Sequence, residues 1–165
     1  MTKTADATDL DKIASLIKDI KVAMLTSDDG VHLRSRPMVA AQQGFTGELF
    51  FFTRASAPKV GEVAAHGRVN VSYADAHHQN YVSLSGTAAI LHDRALIKAH
   101  WSEAMRTWFP KGSEDPDIAI MKVMVEQAEY WDAPSSTMVY LYGYVKAVTT
   151  GEPPHPGENA KVMMA

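Results

Sequence analysis

The spacing of apolar side chains along the chain predicts one N-terminal helix followed by a series of short strands. Thr8-Asp9 is a helix start signal. The apolar positions after it recur every three or four residues, as one face of a helix requires, at Leu10, Ile13, Leu16, Ile17 and Ile20. Short apolar runs bounded by turn residues then predict strands at 22–26, 31–42, 48–54, 69–73 and 81–92. Proline suits a first helical turn, so Pro58 predicts a short helix at 58–66.

The second half of the chain has a different pattern. It predicts helices at 93–107 and 116–123, extended segments at 125–131 and 138–149, and a tail at 151–165 whose prolines cannot continue a strand. No linker divides residues 1–150, so we expect a single domain. The first three strands are expected to form a meander. About six strands with few helices favour a mainly β, α+β fold built on a closed or nearly closed antiparallel barrel, which removes exposed edges.

Composition narrows the class of protein. The chain of 165 residues is 46% hydrophobic, which predicts a well-packed core. A net charge of -3 gives no support for nucleic acid or an anionic membrane as a partner. The chain has no cysteine, which excludes disulfides and thiolate chemistry and is compatible with a reducing cytoplasm. No apolar window is long enough to span a bilayer. We therefore expect a cytoplasmic protein.

Candidate chemistry lies where the second and third strands approach the helix at 58–66. The segment Arg36-Pro37-Met38 is followed by Phe52-Thr53 and then by Ser56 and Lys59. Arginine forks onto phosphate oxygens, and a helix N-terminus offers free N–H groups and partial positive charge. The apolar strands could hold a flat ring beside that phosphate. This combination predicts a phosphorylated cofactor, and specifically a flavin nucleotide.

Each of these residues also has a simpler interpretation. Arg34 and Arg36 share one strand face, which fits a solvated edge with surface salt bridges equally well. Ser56 could serve only as a helix cap, with Lys59 solvated. Gly86, inside a good strand, indicates either a barrel corner or a bulge with a close backbone approach.

Two further clusters bear on metal binding and on assembly. His77-His78 lacks additional ligands at zinc-like spacing, so we predict no metal site. Tyrosines at 140, 142 and 144 alternate along the segment at 138–149. In a strand they would form one aromatic face, where we expect a second subunit to dock.

The order of several short motifs resembles a known family, the general stress protein branch of the pyridoxamine 5'-phosphate oxidase-like, FMN-binding split-barrel superfamily. The motifs are Ser35-Arg36-Pro37-Met38, Phe51-Phe52-Thr53, Ser56 with Pro58-Lys59, Val69-Asn70-Val71-Ser72-Tyr73, Val82 to Ala88, Trp108-Phe109-Pro110 and Glu129-Tyr130-Trp131-Asp132. The resemblance extends from the first helix to Lys161-Val162. It implies a six-stranded antiparallel split barrel with flanking helices that binds FMN at the interface of a homodimer.

The resemblance also implies site residues. Arg36 matches an arginine of the phosphate-contacting strand, followed by Pro37 and Met38. Phe52, Thr53, Ser56 and Lys59 match the strand-to-helix segment around the phosphate, although many members carry serine where this chain has Ala57. Tyr81 stands where the oxidases have a polar flavin contact, and Trp131 matches a tryptophan that reaches the flavin from the partner subunit.

For function, the resemblance implies a cytoplasmic flavoprotein with flavin-dependent redox activity on an unknown substrate. The Arg and His pair that binds substrate in true pyridoxamine phosphate oxidases is not recognisable, which argues against vitamin B6 oxidation. The alternative is a stress protein that binds or sequesters flavin without turnover. A third hypothesis is a related barrel for a deazaflavin or for haem, whose axial ligand would come from His66, His92 or His100.

Overall fold

The computed structural model describes residues 3–41, 44–132, 137–151 and 157–164. Within these ranges the helices are α1 (Ala7–Ile17), α2 (Pro58–His66), α3 (Arg94–His100) and α4 (Thr137–Thr150), with a 3-10 helix at Glu103–Thr107. The strands are β1 (Lys3–Thr4), β2 (Ala23–Asp28), β3 (Leu33–Met38), β4 (Glu48–Arg54), β5 (Arg68–Asp75), β6 (Asn80–Leu91), β7 (Ile118–Asp132) and β8 (Glu158–Met163).

All eight of these strands belong to one sheet that does not close into a barrel. Its order is β1-β8-β7-β6-β5-β2-β3, with β4 also paired to β7. Every pair is antiparallel except β1 with β8. The long β7 organises the sheet, because its first half pairs with β4, its second half with β8, and β6 runs along its other edge. The predicted fold class, a mainly antiparallel sheet with flanking helices in a split barrel, is confirmed.

The main core lies between the inner face of the sheet and α1. Leu25, Val71, Leu84 and Ala128 are register partners on four neighbouring strands, and all four are fully buried. Helix α1 adds its apolar stripe, as its spacing predicts. Because this row crosses the sheet, it fixes which face of each strand turns inward and which turns outward.

Gly86 marks a bulge. The register between β6 and β7 shifts between Ser85 and Gly86. A Cβ added at Gly86 would lie 1.9 Å from the backbone oxygen of Met124. The glycine therefore permits a close approach of two backbones, and the neighbour is the next strand of the sheet.

Two predicted elements are wrong in type. The helix predicted at 116–123 is the start of β7. Ile118 and Ile120 pack into a second apolar cluster with Phe52, whereas Met121 and Val123 pack into the main core. Burial on both faces removes the polar alternation of a half-buried strand, and such a run cannot be distinguished from helix by periodicity.

The strand predicted at 138–149 is also wrong, because it lies in α4. Its β-branched and aromatic residues favour a strand by propensity, but that preference is weak against context. Residues two apart do not share a face of a helix. The alternation that would align Tyr140, Tyr142 and Tyr144 on one strand face is therefore absent from this segment; Tyr144 is exposed, and the side chains of the other two tyrosines lie outside what the structure describes.

Two details of topology also differ from expectation. The predicted meander of the strands at 22–26, 31–42 and 48–54 forms only in part: β3 pairs with β2, but β4 meets the end of the second segment through the bridge between Ala40 and Phe51 and pairs along its length with β7. The tail predicted from residue 151 returns to the sheet as β8, which lies along β7. Within the described ranges, each helix is too short or too polar to cross a membrane.

Candidate functional site

A cleft of about 440 Å³ opens where β3, β4 and the start of α2 meet. The ends of β3 and β4 form two walls, and the 3-10 helix and the loop after it form a third. The lining residues are Val22, Pro37, Met38, Val39, Phe52, Thr53, Arg54, Ala57, Lys59, Met105, Trp108 and Phe109. Most of them are apolar, so the cleft suits a ligand with an apolar body.

The cleft exists because β3 and β4 separate. A single antiparallel bridge joins Ala40 to Phe51, after which β3 follows β2 and β4 follows β7. The residues that would pair next, Val39 with Phe52 and Met38 with Thr53, face each other across the gap instead. The sequence places proline at 37, which has no N–H with which to extend a ladder.

Lys59 is one of two cationic residues that line the cleft, with Arg54. It is the second residue of α2, and its ammonium lies 3.4 Å from the thioether sulfur of Met38, a weak acceptor. Burial lowers the pKa of Lys59 below its usual 10.5, and the positive charge of Arg36 lowers it further. No carboxylate within the described ranges forms a salt bridge with it. A half-buried ammonium in this position is suited to an anionic ligand.

Arg36 lies behind this cation and outside the cleft lining. Its guanidinium donates to Glu62 of α2 at 2.7 Å and to the hydroxyl of Ser27. Arg34 donates to the other oxygen of Glu62 at 2.8 Å, and Ser27 donates to Glu62 at 2.5 Å. The Glu62 side chain is only 7% exposed and that of Arg36 is 17% exposed. Ion pairing thus accounts for two arginines on one strand face, with a buried carboxylate as their shared partner.

The pKa of Glu62 reflects this surrounding. Burial alone would raise it, but hydrogen bonds from Ser27 and Arg36 and the charges of both arginines lower it below the usual value. Glu62 is therefore a carboxylate at neutral pH. Asp29 also lies 4.0 Å from Arg34, so the two arginines beside Lys59 face two carboxylates.

Thr53 and Ser56 lie at different distances from the cleft. Thr53 is buried and lines the cleft, and its hydroxyl contacts the carbonyl of Arg54 at 3.4 Å. Ser56 is absent from the lining. Its backbone N–H and its hydroxyl both donate to Asp117, each at 3.0 Å, and these hydrogen bonds lower the pKa of Asp117. Ser56 is also not the cap, because the N-cap of α2 is Ala57, whose side chain cannot accept a hydrogen bond.

Tyr81 and Trp131 lie elsewhere on the sheet. They are register partners on β6 and β7, and each is about 40% exposed. Trp131 is twelve residues along β7 from Ala119, the partner of Thr53, or roughly 40 Å of strand at about 3.3 Å per residue. The structure brings together Pro37, Met38, Phe52, Thr53 and Lys59, and leaves this aromatic pair apart from them within one chain.

Arg54, Trp108 and Phe109 are among the lining residues that the sequence does not identify as site residues. Trp108 is 65% exposed at the edge of the cleft, and Phe109 is buried beneath it. The guanidinium of Arg54 lies 5.4 Å from the Phe109 ring centroid and donates to the Trp108 carbonyl at 2.9 Å. The available signal was the Trp-Phe-Pro loop itself, since exposed aromatic residues in loops often mark binding surfaces.

The chemistry available in the cleft is limited. Among the described lining residues, the only ionisable groups are those of Arg54 and Lys59, both cationic, and none is a carboxylate or an imidazole. In the part of the chain that the structure describes, no group of three or more His, Asp or Glu side chains is arranged to hold a metal. The cleft can therefore bind and orient an anion with an apolar body.

Comparisons with known proteins agree with this fold. Residues 8–155 match the family model described as pyridoxamine 5'-phosphate oxidase like. The crystal structure of a general stress protein 26 from a Jannaschia species is 28% identical and superposes with a TM-score of 0.74 over 94% of this chain and 99% of that one. A general stress FMN/FAD binding protein from Xanthomonas citri is 25% identical, with a TM-score of 0.69 over 77% of this chain and 90% of that one.

A curated relative shows the same similarity in sequence. Protein bli-3 of Neurospora crassa is 26% identical over 155 residues, which cover 87% of this chain and 74% of that protein. The family match spans most of the chain, and the solved structures share its sheet. The chain belongs to the pyridoxamine 5'-phosphate oxidase-like family.

Proposed function

We propose that this protein binds FMN in the cleft between β3, β4 and α2. The observation that carries the proposal is Lys59, a half-buried ammonium at the start of a helix, beside an apolar gap between two strands. A phosphate at that point would receive a charge-assisted hydrogen bond and the partial positive charge of the helix end. The similarity to the FMN/FAD binding protein of Xanthomonas citri supports the same ligand class.

The residues that line the cleft fit an FMN molecule. A volume of about 440 Å³ lies within the range of roughly 300–1,000 Å³ that small-molecule sites have. Lys59 would hold the phosphate, and Met38, Phe52 and Thr53 would line the space beside it. Arg36 would act on the phosphate through its charge while it remains paired with Glu62. When bound, the flavin would supply electron or hydride transfer, and the protein would fix its orientation.

We further propose that the functional unit is a cytoplasmic homodimer with the flavin at the subunit interface. Tyr81 and Trp131 are too far along the sheet to reach the cleft of their own chain, so they could contribute to a flavin site only from a second copy. Both are large and substantially exposed, as residues of an unformed interface would be. A dimeric mass by light scattering would support this arrangement, and a monomer that retains flavin would contradict it.

Two roles remain for the bound flavin. The family resemblance favours redox activity on a small-molecule substrate that is not yet identified. The absence of a carboxylate or imidazole from the described lining instead favours binding without turnover, because these two groups are the side chains that most often act as general acids and bases. Oxidation of NADPH or NADH by the flavin-loaded protein would support an oxidoreductase. A flavin that dithionite reduces and neither nucleotide reduces would support a binding protein.

The phosphate role is tested with FMN and riboflavin, which differ by that group alone. A charge-assisted hydrogen bond contributes about 1.5–3 kcal/mol, so the protein should bind FMN at least about tenfold more tightly. Lys59→Met should abolish most of this preference, and Lys161→Met, at an exposed lysine of β8, should leave it unchanged. Equal affinities of the parent protein for the two ligands in a fluorescence titration would show that no phosphate site exists.

A further inference from the structure

We propose that Lys59 is an acylation site, whose side-chain amine takes the acyl group of a small acyl phosphate that enters the cleft between β3, β4 and α2. The reaction concerns the ligand-free protein, so it does not require that flavin binds. Its product is an amide without charge, and acylation of Lys59 therefore turns one cationic wall of the cleft into a neutral one.

The first observation is the position of the Lys59 amine. The side chain is half-buried and lines a cleft of about 440 Å³ whose described walls are mostly apolar. The amine nitrogen lies 3.4 Å from the sulfur of Met38, which is buried and is a weak acceptor. Within the described ranges, Lys59 forms no salt bridge with a carboxylate. The amine is thus reachable from the cleft and poorly solvated.

The second observation is that other lysines of the chain lie in different surroundings. Three of them pair with carboxylates: Lys12 with Asp132, Lys98 with Glu114, and Lys122 with Glu48. Four others are exposed to water: Lys18, Lys21, Lys111 and Lys161. A carboxylate or bulk water stabilises the charged form of an amine, which is not a nucleophile. Lys59 differs from these seven lysines because it has an apolar environment instead.

The charges around Lys59 act in the same direction as its burial. Burial lowers its pKa below 10.5, the charge of Arg36 on β3 lowers it further, and Glu62 of α2 opposes both effects. Glu62 is itself paired with Arg36 at 2.7 Å. Arg54, from the end of β4, is the other cation of the described lining. A desolvated lysine beside a second cation is a recognised way to activate an amine as a nucleophile.

The reaction needs only the amine and the acyl donor. The lone pair of the Lys59 nitrogen attacks the acyl carbon, and a carbon–nitrogen bond forms. The bond from the acyl carbon to the bridging oxygen breaks, its electron pair leaves with inorganic phosphate, and the amine proton passes to water. Acyl phosphates are the donor class that fits, because Arg54 and the helix end at Lys59 attract a phosphate and the cleft admits a small ligand.

The test treats the ligand-free protein with acetyl phosphate at neutral pH and follows acetylation of each lysine by peptide mass spectrometry. We expect Lys59 to react at least about threefold faster than Lys18, Lys21 or Lys111, because each unit by which a pKa is lowered gives about ten times more free amine. Its rate should also level off at a lower pH than theirs. A rate at Lys59 no higher than at the three exposed lysines would overturn the proposal.

Three controls make the result specific. Lys59→Arg should lose the fast phase of acetylation seen in the intact mass, and Lys161→Arg, at an exposed lysine of β8, should keep it. In guanidinium chloride, which unfolds the cleft, Lys59 should react as the exposed lysines do. A fast phase that survives in Lys59→Arg, or a preference for Lys59 that survives unfolding, overturns the proposal. Saturating FMN should slow the reaction at Lys59 alone; fast acetylation that FMN does not slow would support the acylation site and contradict the proposed flavin site.

Discussion

Replacing Arg36 with methionine should destabilise the protein, because Glu62 would lose one of its two cations while remaining buried. Removing one partner of a buried ion pair costs about 3–5 kcal/mol. Here Arg34 stays at 2.8 Å from Glu62 and Ser27 at 2.5 Å, so part of the charge remains compensated. Arg34 is half exposed, which weakens its attraction. We therefore expect a loss of about 2–3 kcal/mol in the free energy of unfolding.

Urea unfolding of the ligand-free protein measures this loss directly. A double-mutant cycle with Glu62→Gln separates the pair from its surroundings, and groups in one network couple by about 0.5–3 kcal/mol. Arg68→Met is the matched control, because Arg68 is an exposed strand arginine at 3.9 Å from Glu126 and should contribute under about 1 kcal/mol. A loss no larger than that of Arg68→Met, with no coupling to Glu62, would refute the structural role assigned to Arg36.

The dependence of the free energy of unfolding on pH gives a second measure of the ion pair between Arg36 and Glu62. The pKa of Glu62 is held below its usual 4.5 against the effect of burial. When the folded-state pKa is depressed, the stabilisation is complete above the unfolded value and is lost as the pH falls through the folded value. The parent should therefore lose stability on acidification below about pH 4.5. Arg36→Met should lose less over that interval, because its Glu62 pKa lies closer to the usual value.

Two other predictions concern the fold and the cleft. Gly86→Ala should cost at least about 2 kcal/mol in urea unfolding, because its Cβ would meet the Met124 carbonyl, whereas Gly61→Ala, with open space around it in α2, should not destabilise. Lys59→Met should flatten the rise in stability between pH 7 and pH 10.5, since a lysine pKa depressed by burial makes the folded state more stable as the proton leaves. An unchanged slope would show that Lys59 is not buried enough to titrate abnormally.

The sequence predicts elements well where local signals decide. The bounds of β4 and α2 agree with the prediction at both ends, because a turn precedes β4 and proline opens α2. The sequence-based prediction fails where the packing of distant segments determines whether a segment is a helix or a strand. The first half of β7 is buried on both faces and shows no alternation, and α4 is a helix despite a composition that favours strands. Whether such a segment forms a strand or a helix depends on the elements that pack against it. The sequence of the segment alone does not identify those elements.

The same distinction applies to the site. Lys59, Pro37, Met38, Phe52 and Thr53 can be grouped from the sequence because each lies near the end of a predictable element. The partners that define their surroundings come from distant segments: Glu62 is 26 residues from Arg36, and Asp117 is 61 residues from Ser56. These long-range pairings depend on how β3 and β4 separate onto different neighbours. Short sequence motifs do not predict these partners.

The long-range pairings change how positive charge reaches the cleft. The sequence pattern groups Arg36 and Lys59 as two cations near one phosphate. In the structure, the two arginines face two carboxylates, because both pair with Glu62 and Arg34 also lies 4.0 Å from Asp29. The positive charge that faces a phosphate in the cleft therefore comes from Lys59, with Arg54 also in the lining. Glu62 also keeps the arginines fixed and limits the repulsion on Lys59, so the ligand-free protein can hold a half-buried ammonium without unfolding.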